Sequence, residues 1–377
     1  MIFIKIKYVF GGLIHKDEMR QWILLNEGDY MKTRLRKILI WLLLVVLITC
    51  YSFIGTNSTS HAKGKNAGSY LLTPTDDGKN QVTHPDMVYI EGGFAGYKYW
   101  MACTPYPHSN QYYENPYILV SNDGISFTKP EGEGEFLVPP PNDWAKGGHY
   151  SDTDMYYADG KLVLYFVHNV RGVAGPSKFY RMESSDGINW STPEVFYTCN
   201  ETIEGYSPAC IREYDKTVKM WYVGGEGNFV FTQSPDNERT WYEVRKCVID
   251  MKGWRPWHVD VAKTNIGYEG LMCAKDPGKN IRALFFIAST DGIYWNSSKE
   301  PVLYPDKDGW DSREIYRASL VKDQDTNRIW YSARGAKEQW HVGYTTIDMN
   351  EINIEKPYTT RPWRGPKIWN HVTDMPI

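Results

Sequence analysis

Ser121-Asn122-Asp123-Gly124-Ile125-Ser126-Phe127 is a Ser-x-Asp-Gly turn followed by an aromatic, and the chain repeats it. It returns as Ser185-Asp186-Gly187-Ile188-Asn189-Trp190 and as Ser289-Thr290-Asp291-Gly292-Ile293-Tyr294-Trp295. A looser copy, Ser234-Pro235-Asp236-Asn237, leads to Trp241. The steps are 63 residues from Asp123 to Asp186, 50 to Asp236 and 55 to Asp291. A degenerate copy, Thr345-Thr346-Ile347-Asp348, ends 57 residues further on. Self-similarity at a period near ~50 residues marks propeller blades. The expected fold is all-β: a five-bladed β-propeller with about four antiparallel strands per blade.

Outward from each turn the sequence is built of short aromatic and β-branched runs bounded by Gly, Asp and Asn. Examples are Tyr97-Lys98-Tyr99-Trp100-Met101-Ala102 and Lys161-Leu162-Val163-Leu164-Tyr165-Phe166. Such runs read as strands, and no long helical period appears. In the Asp-Gly turns Gly supplies positive φ and Asp bonds its own backbone, so those aspartates are structural. The chain has 377 residues and a net charge of −3, with no basic block in the repeats, which argues against a nucleic-acid partner. Its 15 Trp and 28 Tyr are read mainly as blade core. Aromatics beside the inner-strand starts are candidates for stacking on sugar rings.

Residues 31–62 carry a different signal. Met31-Lys32-Thr33-Arg34-Leu35-Arg36-Lys37 is basic, an apolar run from Ile38 to Ile54 follows, and Ser60-His61-Ala62 ends a polar stretch. This is the order of a secretory signal peptide, and the run is also at the short limit for an uncleaved anchor. Met31 reads as the initiator and residues 1–30 as upstream sequence. The repeats are therefore expected outside the cytoplasmic membrane, secreted or held at its outer face through this segment alone. Residues 63–79 read as a flexible linker and 80–377 as the propeller. The C-terminal stretch from Ile352 is expected either to close the ring or to drape over its outside. Cys103, Cys199, Cys210, Cys247 and Cys273 follow no metal-ligand spacing and read as buried thiols.

Propellers bind ligands on the axis, where each blade's first strand begins. Asp86-Met87-Val88-Tyr89 aligns on Asp154-Met155-Tyr156-Tyr157, which places Asp86 and Asp154 at one depth, and the register reaches Asp260 in blade four. Blades three and five carry Ala209 and Ala318 there, with Glu204 and Glu314 upstream. His84, His149, His258, Arg313 and Arg317 lie around them. Carboxylates converging on one axis are costly unless paired or used. Glycoside hydrolysis needs two carboxyl groups, one holding a proton and one ionised, and burial with mutual repulsion separates their pKa values.

In these residues the chain resembles the five-bladed propeller glycosidases of families 43 and 32 and their relatives. The resemblance implies that Asp86 is base or nucleophile, that Asp154 positions substrate and tunes the acid, and that Glu204 is the proton donor, with Glu314 competing. His84, Trp257, His258, Asp260, Glu314, Tyr316 and Arg317 are expected to contact substrate. No cofactor is required; a structural Ca2+ at the axis is the one metal expectation. The leading reading is a secreted, monomeric glycoside hydrolase acting on a poly- or oligosaccharide. A non-catalytic glycan-binding propeller stays open, because Tyr206-Ser207 separates Glu204-Gly205 from Pro208 where family 43 has a tighter Glu-Gly-Pro. A glycoside phosphorylase stays open too, since Arg313 and Arg317 could hold phosphate.

Overall fold

The computed structural model describes residues 65–131, 137–170, 176–199, 205–323 and 326–354. The segments at 1–30 and 31–62, the expected acid Glu204, and most of the C-terminal stretch lie outside the described residues. Among those described, no helix is long and apolar enough to cross a membrane.

Five antiparallel sheets form a five-bladed propeller. Blade one contains β1 (Val82–Phe94), β2 (Tyr97–Pro105) and β3 (Tyr117–Ser121). Blade two contains β4 (Gly148–Ala158), β5 (Lys161–Val170), β6 (Lys178–Ser184) and β7 (Glu194–Thr198). Blade three contains β8 (Gly205–Arg212), β9 (Val218–Gly224), β10 (Asn228–Ser234) and β11 (Tyr242–Lys246). Blade four contains β12 (Val248–Ile249), β13 (Arg255–Thr264), β14 (Gly267–Lys275), β15 (Arg282–Ser289) and β16 (Tyr294–Ser297), with β12 parallel to β16. Blade five contains β17 (Glu314–Asp323), β18 (Thr326–Arg334) and β19 (Trp340–Asp348). The inner strands β1, β4, β8, β13 and β17 touch in succession around the axis.

The core is divided among the five junctions. Trp100, Ile118 and Val120 of blade one pack with Met155, Leu164 and Phe166 of blade two. Met87, Met101 and Leu119 pack with Val321, Trp330 and Val342 of blade five to close the circle. Alternation along the second strand of each blade gives both sheet faces to neighbouring blades, so strands such as β2, β5 and β9 are buried on both sides and read as nearly continuous apolar runs, while the outer strands β7 and β11 stay largely exposed.

The repeated turns do more than reverse the chain. Asp123 Oδ1 accepts the amides of Ile125 and Ser126 at 2.8 and 2.7 Å, and Ser121 Oγ accepts that of Gly124 at 2.9 Å. Gly124, Gly187 and Gly292 have φ of +76°, +77° and +77°. A tryptophan from the second strand of the preceding blade covers each. Trp330 donates to Gly124 O at 2.8 Å and Trp221 to Gly292 O at 2.7 Å. A Cβ on Gly187 would stand 2.1 Å from the ring of Trp100. The looser blade-three turn has Glu238 instead, which accepts a hydrogen bond from Tyr165 of blade two.

Lys65 to Leu72, expected in a flexible linker, hydrogen-bond to blade five. Leu71 N donates to Val342 O at 2.8 Å, Ala67 N to Tyr331 Oη at 2.9 Å, and Thr345 Oγ1 to Lys65 O at 2.6 Å. Tyr70 stacks on His341 with centroids 3.7 Å apart. Polar composition concealed this, because the segment is held through its backbone. Cys199, Cys210, Cys247 and Cys273 are buried free thiols.

Gly187→Ala is expected to lower stability by about 2–4 kcal/mol, combining left-handed strain with overpacking against Trp100. Gly160→Ala, also at positive φ but facing open space, should cost only the strain, about 1 kcal/mol. Urea denaturation of the two variants checks the difference; equal losses would refute the turn-to-tryptophan lock.

Candidate functional site: a histidine–aspartate cluster above an aspartate layer

All five inner strands carry a bulge near their beginnings. The register shifts between Thr83 and Asp86, Ser151 and Asp154, Tyr206 and Ala209, Pro256 and His258, and Ile315 and Ala318. A bulge re-aims the side chains of its extra residues. The residues within these intervals include His84, Asp152, Ser207, Trp257, Tyr316 and Arg317. His84, Asp152 and Ser207 have φ of 52°, 55° and 56°, a region L-residues enter only under constraint.

Two layers result. In the upper one His84, Asp152 and His258 bring ligand-type atoms within 4.8 Å of one another. His258 Nδ1 lies 2.8 Å from Asp152 Oδ1, and His84 Nε2 lies 3.8 Å from it. The other ring nitrogen of His84 bonds Thr104 Oγ1 at 2.9 Å, and Ser151 Oγ donates to Asp152 Oδ2 at 2.8 Å. Both ring nitrogens of His258 and Asp152 Oδ1 are buried without an aligned hydrogen-bond partner. Buried polar atoms in that state call for an occupant. Tyr316 packs against His258 with ring centroids 4.3 Å apart, and Trp257 Nε1 donates to Tyr316 Oη at 3.2 Å. Glu114, from the β2–β3 connection, places its oxygens 3.7 Å from His84 and 4.0 Å from His149.

In the lower layer Asp86, Asp154 and Asp260 converge, their oxygens also within 4.8 Å. Each carboxylate is engaged by the next blade. Asp86 Oδ2 accepts Met155 N at 2.7 Å, Asp154 Oδ2 accepts Cys210 N at 2.8 Å, and Asp260 Oδ2 accepts Leu320 N at 2.6 Å. Arg317, fully buried, stands between the layers, 3.7 Å from both Asp152 and Asp154.

Electrostatics separate the layers further. Burial pushes His84 down to about 3 and lowers His258, so both imidazoles are neutral at neutral pH. Burial alone would raise Asp152, but His84, His258 and Arg317 outweigh it and hold the carboxyl well below the ordinary range. Below, burial raises Asp86 and Asp154, the latter also by repulsion from Asp86. Burial, then Asp86, raises Asp260 to about 7.

Of the residues singled out from sequence, His84, Trp257, His258 and Tyr316 gather in the upper layer, and Asp86, Asp154 and Asp260 form the lower one. Glu314 is buried between Arg282 and Arg334, both of which it pairs with. Arg317 lies beneath the upper layer rather than at its surface, and Arg313 pairs with exposed Glu338. Sequence reasoning passed over Asp152 in favour of Asp154, and did not single out Glu114. Pro85 and Pro208 were the available signal, since a proline inside a buried strand marks a bulge. Glu114, on an irregular connection, had none.

No family model matches the chain. A curated relative, the A type blood N-acetyl-alpha-D-galactosamine deacetylase of Flavonifractor plautii, is 26% identical over 367 residues, covering 75% of this chain and 47% of that protein. The chain thus spans about half the length of the relative it matches. The crystal structure of an N-acetylgalactosamine deacetylase from F. plautii in complex with blood group B trisaccharide superposes with a TM-score of 0.64 at 23% identity, covering 77% of this chain and 95% of that one. A structure from work on the GH130 family of mannoside phosphorylases, containing hydrolases that target β-1,2 mannosidic linkages in Candida mannan, gives 0.51 at 14%, covering 81% and 95%. Another, described as a glycoside hydrolase, gives 0.52 at 15%, covering 82% and 96%. The expected likeness to five-bladed glycoside hydrolase-like propellers is present in the fold.

The lower layer has a pH signature. A carboxyl raised in the folded state contributes stability that is full below its unfolded value and is lost as pH rises through the folded value. Asp260 faces Asp86, Asp154 and Arg317, and its raised value places the loss between about pH 4 and pH 7. The buried histidines have the opposite slope, so the informative quantity is the melting temperature of wild type minus that of Asp260→Asn. It should fall as pH rises across that window, by the equivalent of a few kcal/mol; a flat or rising difference would contradict a protonated lower layer.

Proposed function

We propose that this chain removes the acetyl group from an N-acetylated amino sugar of a glycan, with His84, Asp152 and His258 holding a divalent transition-metal ion. The observation that carries the reading is the His84–Asp152–His258 cluster. It offers two neutral imidazoles and an ionised carboxylate, with His258 and Asp152 Oδ1 lacking aligned partners. Two histidines and a carboxylate with an open position form a catalytic ligand set. Ligands already deprotonated need release no proton on binding. A bound ion would polarise an amide carbonyl and favour ionisation of water.

The chain's own residues complete the chemistry. Burial raises Tyr316 well above the ordinary phenol value, so its hydroxyl stays protonated. That hydroxyl already accepts from Trp257 Nε1, which leaves its proton for a carbonyl oxygen. Glu114, beside His84 and His149, is placed to take a proton from water and return it to the departing amine. Trp257 and Tyr316, both half-buried, give aromatic faces for the C–H face of a sugar ring. The similarity to an N-acetyl-galactosamine deacetylase supports an acetamido substrate.

The competing reading is hydrolysis of a glycosidic bond by Asp86 and Asp154 with Glu204. The engagement of Asp86 and Asp154 by neighbouring-blade amides favours a role in joining blades instead. Export through residues 31–62 would place the enzyme where glycans are met.

Incubation with oligosaccharides ending in N-acetylgalactosamine or N-acetylglucosamine should release acetate and expose a free amine. Chelation should abolish the activity, and a divalent transition metal should restore it. Asp152→Asn and His258→Ala should each lower kcat/KM by at least ~100-fold. Release of free sugar without acetate, surviving chelation and abolished by Asp86→Asn, would establish the glycosidase reading instead.

A further inference from the structure

We infer that the guanidinium of Arg317 is the built-in cation of the propeller axis, filling by covalent attachment the role for which a structural calcium ion was expected. Arg317 has no exposed surface. Its Nη1 lies 3.7 Å from Asp152 Oδ1 and its Nη2 lies 3.7 Å from Asp154 Oδ1, so one side chain addresses both layers. Nη2 also donates to Pro208 O at 2.9 Å, which anchors the group to blade three. Nε and Nη1 have no aligned partner among the described residues. The side chain is therefore not held there by a full set of hydrogen bonds; the surrounding charge gives it its place.

The lower layer does not fit calcium. That ion takes six to eight oxygen ligands at about 2.3–2.6 Å. Both oxygens of Asp86 are engaged, Oδ2 by Met155 N and Oδ1 by the hydroxyl of Ser319. Asp154 and Asp260 each give one oxygen to a backbone amide. Donors directed at these oxygens take up part of their lone-pair capacity, and the three carboxyls together offer at most six oxygens to a shell of about six to eight. A planar, delocalised cation tolerates such a setting better, being weakly hydrated and able to act across several ångströms. With Arg317 removed, the ionised Asp152 would be buried without the guanidinium beside it, and that is more damaging than never having had the pair.

The test is a charge-compensation cycle on the purified full chain, read as melting temperature with chelator or with millimolar calcium. Arg317→Met should melt roughly 10 °C lower than wild type. Adding Asp152→Asn, which removes the carboxylate held ionised beside Arg317 while leaving an acceptor for Ser151, should regain more than half of that loss. Arg317→Lys should fall between wild type and Arg317→Met, and calcium should leave the wild-type value unchanged. If Arg317→Met does not fold, recovery of a folded protein in the double variant supports the inference equally. Two results would overturn it: a calcium-induced rise in the wild type that Asp260→Asn abolishes, or losses from Arg317→Met and Asp152→Asn that simply add. Acetate release plays no part in these readouts, so their outcome is separate from that of the deacetylase reading.

Discussion

The inner strand of every blade is an edge strand whose free side is buried against the axis. Edge amides in that position cannot reach bulk water and must find acceptors. Each of the five junctions provides one from a side chain of the preceding inner strand. Asp86 receives Met155, Asp154 receives Cys210, Asp260 receives Leu320, Ser319 receives Met87 at 2.9 Å, and Ser207 receives Val259 at 2.9 Å. Ser207 also donates to the carbonyl of Val259 at 3.1 Å. The circle is therefore joined at the axis by side-chain acceptors, while the turn-to-tryptophan contacts join several of the same blades elsewhere. Three of the five acceptors are carboxylic acids, and so satisfying the edges gathers carboxyl groups at one point. The axial arginine stands between those carboxyl groups and the ionised Asp152.

In four of the strands the bulge sits just before the acceptor, and in blade three the acceptor, Ser207, lies within it. A bulge interrupts the ladder, and backbone at positive φ costs on the order of 1–3 kcal/mol per residue. The strain at His84, Asp152 and Ser207 can persist because the strands immediately beyond are pinned to their neighbours. In return, side chains that would alternate between blade cores turn to face one another across the axis. Thr153 Oγ1 donates to His84 O at 2.8 Å, so the blade-two bulge directly supports that of blade one. Rigid support below and redirected side chains above are what a preorganised site requires.

The fold was legible because its signal repeats: the Ser-x-Asp-Gly turns need Gly at positive φ and Asp to bond the backbone, and neither need depends on tertiary context. The convergence of Asp86, Asp154 and Asp260 was legible from register. Which aspartate faces the open end was not, because strict alternation puts Asp152 and Asp154 on one face of a strand. The bulge between Ser151 and Asp154 breaks that alternation, and no residue type announces it as clearly as Pro85 and Pro208 do in blades one and three. Arg317 was legible as an axial residue but not as a buried one, since arginine is rarely without surface. The hold of blade five on Lys65 to Leu72 escaped a reading of composition, because backbone groups and a single hydroxyl carry most of it.

Asp152 and Asp154 show how little residue type decides. Both are buried, and they are separated by a single residue. Asp152 has two imidazoles and a guanidinium nearby and is held ionised, while Asp154 has Asp86 and Asp260 beside it and is driven toward its neutral form despite the same guanidinium. An ionised carboxylate among neutral histidines suits an electrophilic centre; a protonated carboxyl bonded to a backbone amide suits a junction. Chemistry at this axis can therefore change by substitution at the bulges while the acceptors beneath continue to hold the ring.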